Sequence, residues 1–195
     1  MNEIERNYRE QISLKSDINE HIETIYKYAL ECEHVTEAGT RWGSSTWAFI
    51  HANPKRIISY DICKLEDERL KKIFSVVNEY NIDYRFVEVD FLKVQIEKTD
   101  LLFIDTLHTY EQLSKELELH SAYVKKYIIL HDTETYGYCD EIIYEHASSL
   151  IAGAKEKRGL IPAIADFLDT VHGRDWDIYQ KFTNNNGLTV LKRKL

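Results

Sequence analysis

An α/β fold built on a mostly parallel, seven-stranded sheet is what this sequence predicts, and three observations predict it. Five short runs of apolar and β-branched residues, over 34–38, 56–61, 84–90, 100–105 and 126–132, each lead into polar or acidic groups. Amphipathic stretches of helical period separate most of them, the alternation of parallel strands joined by crossover helices. Near the end of the chain an Asn/Gly turn, Thr183-Asn-Asn-Asn-Gly187, joins two β-rich runs, 176–182 and 188–192, which signals an antiparallel hairpin. The expected architecture is therefore a Rossmann-like, doubly wound sheet with helices on both faces and a C-terminal antiparallel hairpin.

Taken in order, residues 17 to 31 predict a helix opened by Asp17 as N-cap, with Glu20 completing a capping box and Ile18, Ile22, Ile25, Tyr26 and Leu30 near one face. Asn19 and His21 are left to face a cleft or the sheet. The first strand leads into a turn holding Gly39, Thr40 and Gly43 and a helix starting near Ser44, an order that cradles anionic groups at the helix N-terminus. The glycines are spaced G-x-x-x-G, which is neither the dinucleotide fingerprint nor a phosphate loop. Glu37 before that turn would repel a pyrophosphate but accept a hydrogen bond from an ammonium group, so an amino-acid-like moiety suits the turn better. Asp61 ends the second strand 18 residues after Gly43, near the place of a ribose-binding acid. Leu65 to Tyr80 is a crossover helix, and the third strand runs into Asp90 with Phe91 beside it, either a flat contact for an adenine or a core aromatic.

The fourth strand, Asp100-Leu-Leu-Phe-Ile-Asp105, carries the densest chemistry, because Asp105, His108 and Tyr110 follow one another at its carboxyl end. Ligands bind at such ends in open α/β sheets. A helix over Glu111 to Tyr123 leads to the fifth strand, which delivers His131 and Asp132 to the same edge. Residues 133–158 break the rhythm and lie where a substrate lid belongs, with Tyr136, Tyr138 and Tyr144 as aromatic surface. Leu160 to Val171 is the last helix.

The 195 residues fit one domain, with a helical segment over 1–33. A net charge of −8 gives no footprint for a nucleic-acid backbone. Three cysteines without metal spacing point to a reducing compartment. With neither the apolar core of a signal peptide at Met1–Arg6 nor a run near the roughly 18 residues of a membrane span, a soluble cytoplasmic protein is expected, without membrane partners. A homo-oligomer stays open.

The strand pattern together with the E-x-G-x-x-x-G-S-S first loop resembles the class I S-adenosylmethionine-dependent methyltransferases over nearly the whole chain. Within them Ser16-Asp-Ile-Asn-Glu-His21, Phe103-Ile-Asp-Thr-Leu-His-Thr-Tyr-Glu111, Leu130-His-Asp-Thr133 and Asn185-Asn-Gly-Leu-Thr-Val-Leu191 resemble a group that includes cephalosporin-hydroxylase-like proteins and metal-dependent sugar O-methyltransferases. The resemblance implies that Glu37, Gly39, Thr40, Gly43 and Ser45 hold the methionine end of S-adenosylmethionine, Asp61 its ribose, and Asp90 with Phe91 its adenine. It implies Asp105 and Asp132 as ligands of Mg²⁺ or Mn²⁺ and His108 as the base taking the proton of an acceptor hydroxyl on a sugar, glycan precursor or other small molecule. His131 stands where relatives place an acidic ligand, and as a ligand it favours Mn²⁺, Fe²⁺ or Zn²⁺; Thr133 completing the site, or a metal-free His108/His131 pair, are the alternatives. His21, Tyr110 and Tyr136 are the expected substrate contacts. The rival readings are an inactive cofactor-binding scaffold, a nicotinamide-dependent oxidoreductase, and a hydroxylase using two histidines and one carboxylate.

Overall fold

A computed structural model describes residues 1–142 and 158–194. All seven expected strands are present: β1 (His34–Ala38), β2 (Arg56–Asp61), β3 (Asp83–Glu88), β4 (Thr99–Ile104), β5 (Val124–His131), β6 (Trp176–Phe182) and β7 (Leu188–Arg193). They form one sheet in the order β3-β2-β1-β4-β5-β7-β6. The first five are parallel, and β7 runs antiparallel to both β5 and β6. The central strands are continuous apolar runs because both their faces are covered; Leu101, Leu102 and Phe103 of β4 have no exposed surface. β3 and β6 are the edges, and at β6 the charges of Asp177 and Lys181 discourage a further strand from pairing.

Alternation along the strands divides the core in two. Val35, Ile57, Leu101, Phe103, Ile129 and Val190 pack beneath α1 (Glu3–Ser13), α2 (Ile22–Ala29), α3 (Ser44–Ala52) and α4 (Asp67–Glu79). Ala38, Ile58, Leu102, Ile104, Ile128 and Leu191 pack on the opposite face against α5 (Tyr110–His120) and α6 (Leu160–Asp169). Register then decides what meets at the carboxyl edge. Ala38 lies opposite Tyr60 and Ile104, and Ile104 opposite Leu130, so Gly39, Asp61, Asp105 and His131 emerge side by side.

Three local expectations change. The helix expected from Asp17 begins later: a 3₁₀ turn over Asn19–His21 precedes α2, and no side chain caps it. The reason is tertiary, because the Glu20 amide donates to Asn185 Oδ1 at 3.0 Å and Asp17 pairs with Arg41 at 2.7 Å. β3 stops at Glu88, so Asp90 lies outside it and caps a 3₁₀ turn over Phe91–Lys93. Of the expected lid, residues 133–142 run in turns, while 143–157, including Tyr144, lie outside the described residues. Among the described residues no helix is long and apolar enough to cross a membrane.

Candidate active site

The turn after β1 is shaped by two glycines in left-handed conformation. Gly39, at φ +83°, passes so close to β4 that a Cβ would sit 1.9 Å from the Asp105 carbonyl oxygen. Gly43, at φ +80°, occupies the N-cap position of α3. Asp61 locks the turn from the next strand: its Oδ2 accepts from the amides of Thr40 at 2.8 Å and Arg41 at 2.9 Å, and its Oδ1 from the Cys63 amide at 2.8 Å. Half-buried, Asp61 remains at the open edge where a ribose was expected. The Thr40 hydroxyl is buried there without a partner.

Glu37 lies beneath this turn. It has no exposed surface, and its carboxylate takes hydroxyls from Ser45 at 2.6 Å, Thr46 at 2.9 Å and Ser59 at 2.5 Å. Burial pushes its pKa up to about 7 against the pull of those hydroxyls. With no exposed surface, Glu37 is here the post that holds the N-terminus of α3 beneath the turn. Ser45 is likewise buried and committed to it.

Of the two readings expected for Phe91, the structure shows the second. Phe91 is only 5% exposed and packs between Tyr60 and His120, at ring separations of 5.5 and 4.2 Å. It is a core aromatic. Asp90 accepts from the Leu92 amide at 3.0 Å and faces Lys93 at 3.2 Å.

The ends of β4 and β5 do converge. Asp105, anchored by its amide on the Ala38 carbonyl, places Oδ1 3.1 Å from His108 Nε2 and 3.2 Å from His131 Nδ1. His108 Nε2 also lies 3.0 Å from Asp132 Oδ2, and its Nδ1 2.9 Å from Glu141 Oε2. His131 Nε2 lies 3.2 Å from the Asp17 carbonyl oxygen, which can only accept; that nitrogen carries the proton, and Nδ1 is left facing Asp105 and Asp132. Asp132, held at φ +59°, buries an Oδ1 that makes no hydrogen bond.

These contacts set the charges. Burial pulls the His108 pKa down, but Asp105, Asp132 and Glu141 outweigh it and raise it to about 9. Burial pushes Asp105 up, yet His131 and His108 hold its carboxyl well below the usual range. His131 is raised, its burial overcome chiefly by Asp105, and Asp132 is raised by burial despite the two histidines. Without a cation nearby, His108 therefore keeps its proton near neutrality.

A divalent ion fits this set. Asp105, His131 and Asp132 each offer one ligand atom, all within 4.8 Å of one another; Asp132 Oδ1 makes no hydrogen bond, and a cation would take the place of the proton that pairs His131 Nδ1 with Asp105. Two oxygens and one nitrogen suit Mn²⁺, Fe²⁺ or Zn²⁺ as well as Mg²⁺. The Thr133 hydroxyl accepts from the Thr189 hydroxyl at 2.9 Å.

Of the expected substrate contacts, Tyr136 lies parallel to the His108 ring at 4.9 Å. His21 is 1% exposed and donates through Nε2 to the Asn184 carbonyl at 2.9 Å, so it supports the wall behind His131 rather than touching a substrate. Tyr110 is drawn to α6, its hydroxyl on Asp166 at 2.6 Å and Arg158 over its ring at 4.3 Å. Two contributors were not singled out from the sequence. Glu141 sits beyond a stretch of turns with no periodicity to place it, and the Asp17 carbonyl is backbone, which no residue type announces.

No family model and no curated protein matches the chain. Solved structures do. It is similar to a Staphylococcus aureus protein provisionally described as a caffeoyl-CoA O-methyltransferase, with 14% identity and a TM-score of 0.62 over 99% of this chain and 93% of that one. A magnesium protoporphyrin IX methyltransferase of Synechocystis with bound SAM gives 14% and 0.60 over 100% and 85%. A Podospora anserina methyltransferase with bound SAH gives 13% and 0.59 over 100% and 89%. At these identities the likeness is one of fold: the chain has the Rossmann-like methyltransferase fold.

Proposed function

We propose that this chain is an S-adenosylmethionine-dependent O-methyltransferase acting on a hydroxyl of a sugar, glycan precursor or other small molecule, with a divalent metal at Asp105, His131 and Asp132. The observation that carries the reading is the meeting of Asp105, His108, His131 and Asp132 at hydrogen-bond distances on the edge that also bears the Gly39 turn. The fold shared with proteins crystallised with SAM and SAH supports the cofactor half.

In this account the turn from Gly39 to Ser45 receives the methionine end, with Glu37 holding the turn from below and Asp61 beside the ribose. The cofactor supplies the methyl group as a sulfonium. A cation at the three ligands would supply the charge that lowers a hydroxyl's pKa and offsets the carboxylates now retaining the His108 proton. His108 Nε2 faces that same space and is the atom to receive the acceptor's proton, while the flat side of Tyr136 borders it as a surface for a sugar ring. The three free cysteines agree with work in the cytoplasm.

Calorimetric titration of the metal-stripped protein with S-adenosylhomocysteine, repeated with Mg²⁺ or Mn²⁺, tests the reading. Cofactor binding and a metal isotherm lost in Asp105→Ala are expected; no cofactor binding under either condition would overturn it. His108→Ala should remove most turnover with cofactor affinity unchanged, whereas Glu37→Ala should weaken cofactor binding first. Equal loss of cofactor affinity in both would sink this division of roles.

A further inference from the structure

Glu141 reaches the site from the turn region after β5, and its contacts with His108 are reciprocal. Its Oε2 lies 2.9 Å from His108 Nδ1 and accepts the His108 amide at 3.2 Å, while its own amide donates to the His108 carbonyl at 2.9 Å. The His108 side chain is 16% exposed and that of Glu141 34%. A carboxylate offers only lone pairs, so the nitrogen facing it must carry a proton. The neighbouring Asp140 pins this stretch independently, accepting the Tyr110 amide at the start of α5 at 2.7 Å and the Gly159 amide at 3.0 Å. Glu141 is thus presented to His108 by backbone held from another side.

The imidazole is constrained at each of its polar atoms. Nδ1 is on Glu141, Nε2 on Asp105 and Asp132, and the parallel ring of Tyr136 covers one face. Turning the ring over would put carbon where both nitrogens now sit and break every one of these polar contacts.

We propose that Glu141 is the positioning residue of His108: by holding Nδ1–H it fixes the ring and leaves Nε2 as the single nitrogen presented to Asp105, Asp132 and the space beside them. A third group that orients the base is a recurring requirement of acid–base sites, since a misdirected ring delivers its lone pair to the wrong place. The consequence for turnover rests on the methyl-transfer reading; the ring orientation does not.

The two are separated by nitrogen-15 NMR of histidine-labelled protein, comparing wild type with Glu141→Ala and Glu141→Gln and assigning His108 by its absence in His108→Ala. A His108 Nδ1–H proton slow to exchange with water is expected in wild type. It should be lost to fast exchange in Glu141→Ala and kept in Glu141→Gln, whose amide oxygen still accepts. S-adenosylhomocysteine affinity should be the same in all three. Once an acceptor is in hand, kcat should fall about 10–100-fold in Glu141→Ala at unchanged KM and recover in Glu141→Gln. A bare Nδ1 in wild type, or a proton equally protected in a folded Glu141→Ala, overturns the assignment. Failure of all three to bind S-adenosylhomocysteine would instead overturn the methyl-transfer reading, with the NMR comparison still deciding the role of Glu141.

Discussion

Gly39 and Gly43 share a left-handed backbone, yet they should respond very differently to a methyl group. At Gly43 an added Cβ would meet Ile73 and Leu65 at 3.6 and 3.8 Å, ordinary contacts, so Gly43→Ala pays only the backbone term of about 1–2 kcal/mol. At Gly39 the same atom would land 1.9 Å from the Asp105 carbonyl oxygen, and β1 and β4 would have to part at the point where the site is built. Gly39→Ala should therefore lower the urea midpoint by clearly more than Gly43→Ala. Equal losses would mean that the strand exits are not held at this spacing. Asp105, His108 and Asp132 were legible in the sequence because a strand end places its own next residues. The burial of Glu37 was not, because a strand covered on both faces has no polar side to read; Phe91 could be read either way, because Tyr60 and His120, which enclose it, come from distant parts of the chain.

α5 carries a second buried acid with measurable consequences. Glu116 has no exposed surface; its Oε1 accepts from Thr106 at 2.7 Å and Gln112 at 2.8 Å, while its Oε2 is buried without a partner. Burial outweighs those two donors and raises its pKa from 4.5 to about 7. An acid whose folded pKa is raised binds its proton more tightly when folded, so its stabilising contribution is full below 4.5 and is lost as pH rises toward 7. At about 1.4 kcal/mol per pH unit, the uncharged Glu116→Gln should gain up to about 3 kcal/mol on wild type at pH 8 and little at pH 4.5. Urea unfolding at the two pH values checks this, and a difference independent of pH would contradict it. Elements as such were largely readable, since apolar runs and helical periods are local. The start of α2 was not, because the amide that would open a capped helix at Asp17 and Glu20 is taken by Asn185.

Across the whole molecule, the two ends of the sequence close on one edge of the sheet. Asn185, at φ +46° in the β6–β7 turn, accepts the Glu20 amide at 3.0 Å and donates to the Ser16 carbonyl at 2.8 Å. Between those anchors lies Asp17, whose carbonyl fixes the tautomer of His131. The hairpin thus reaches the candidate metal site through the N-terminal segment, a coupling that no window of sequence contains. Glycine is the informative replacement, because it accepts the positive φ and removes only the side chain. Asn185→Gly should cost about 1–3 kcal/mol for the two lost bonds. Hydrogen exchange should quicken over residues 16–21 while the β4 amides stay protected, and metal affinity should fall because His131 loses the acceptor that orients it. Faster exchange at 16–21 with metal affinity unchanged would show that His131 is oriented by Asp105 alone, and that the closure of the two ends serves stability rather than the site.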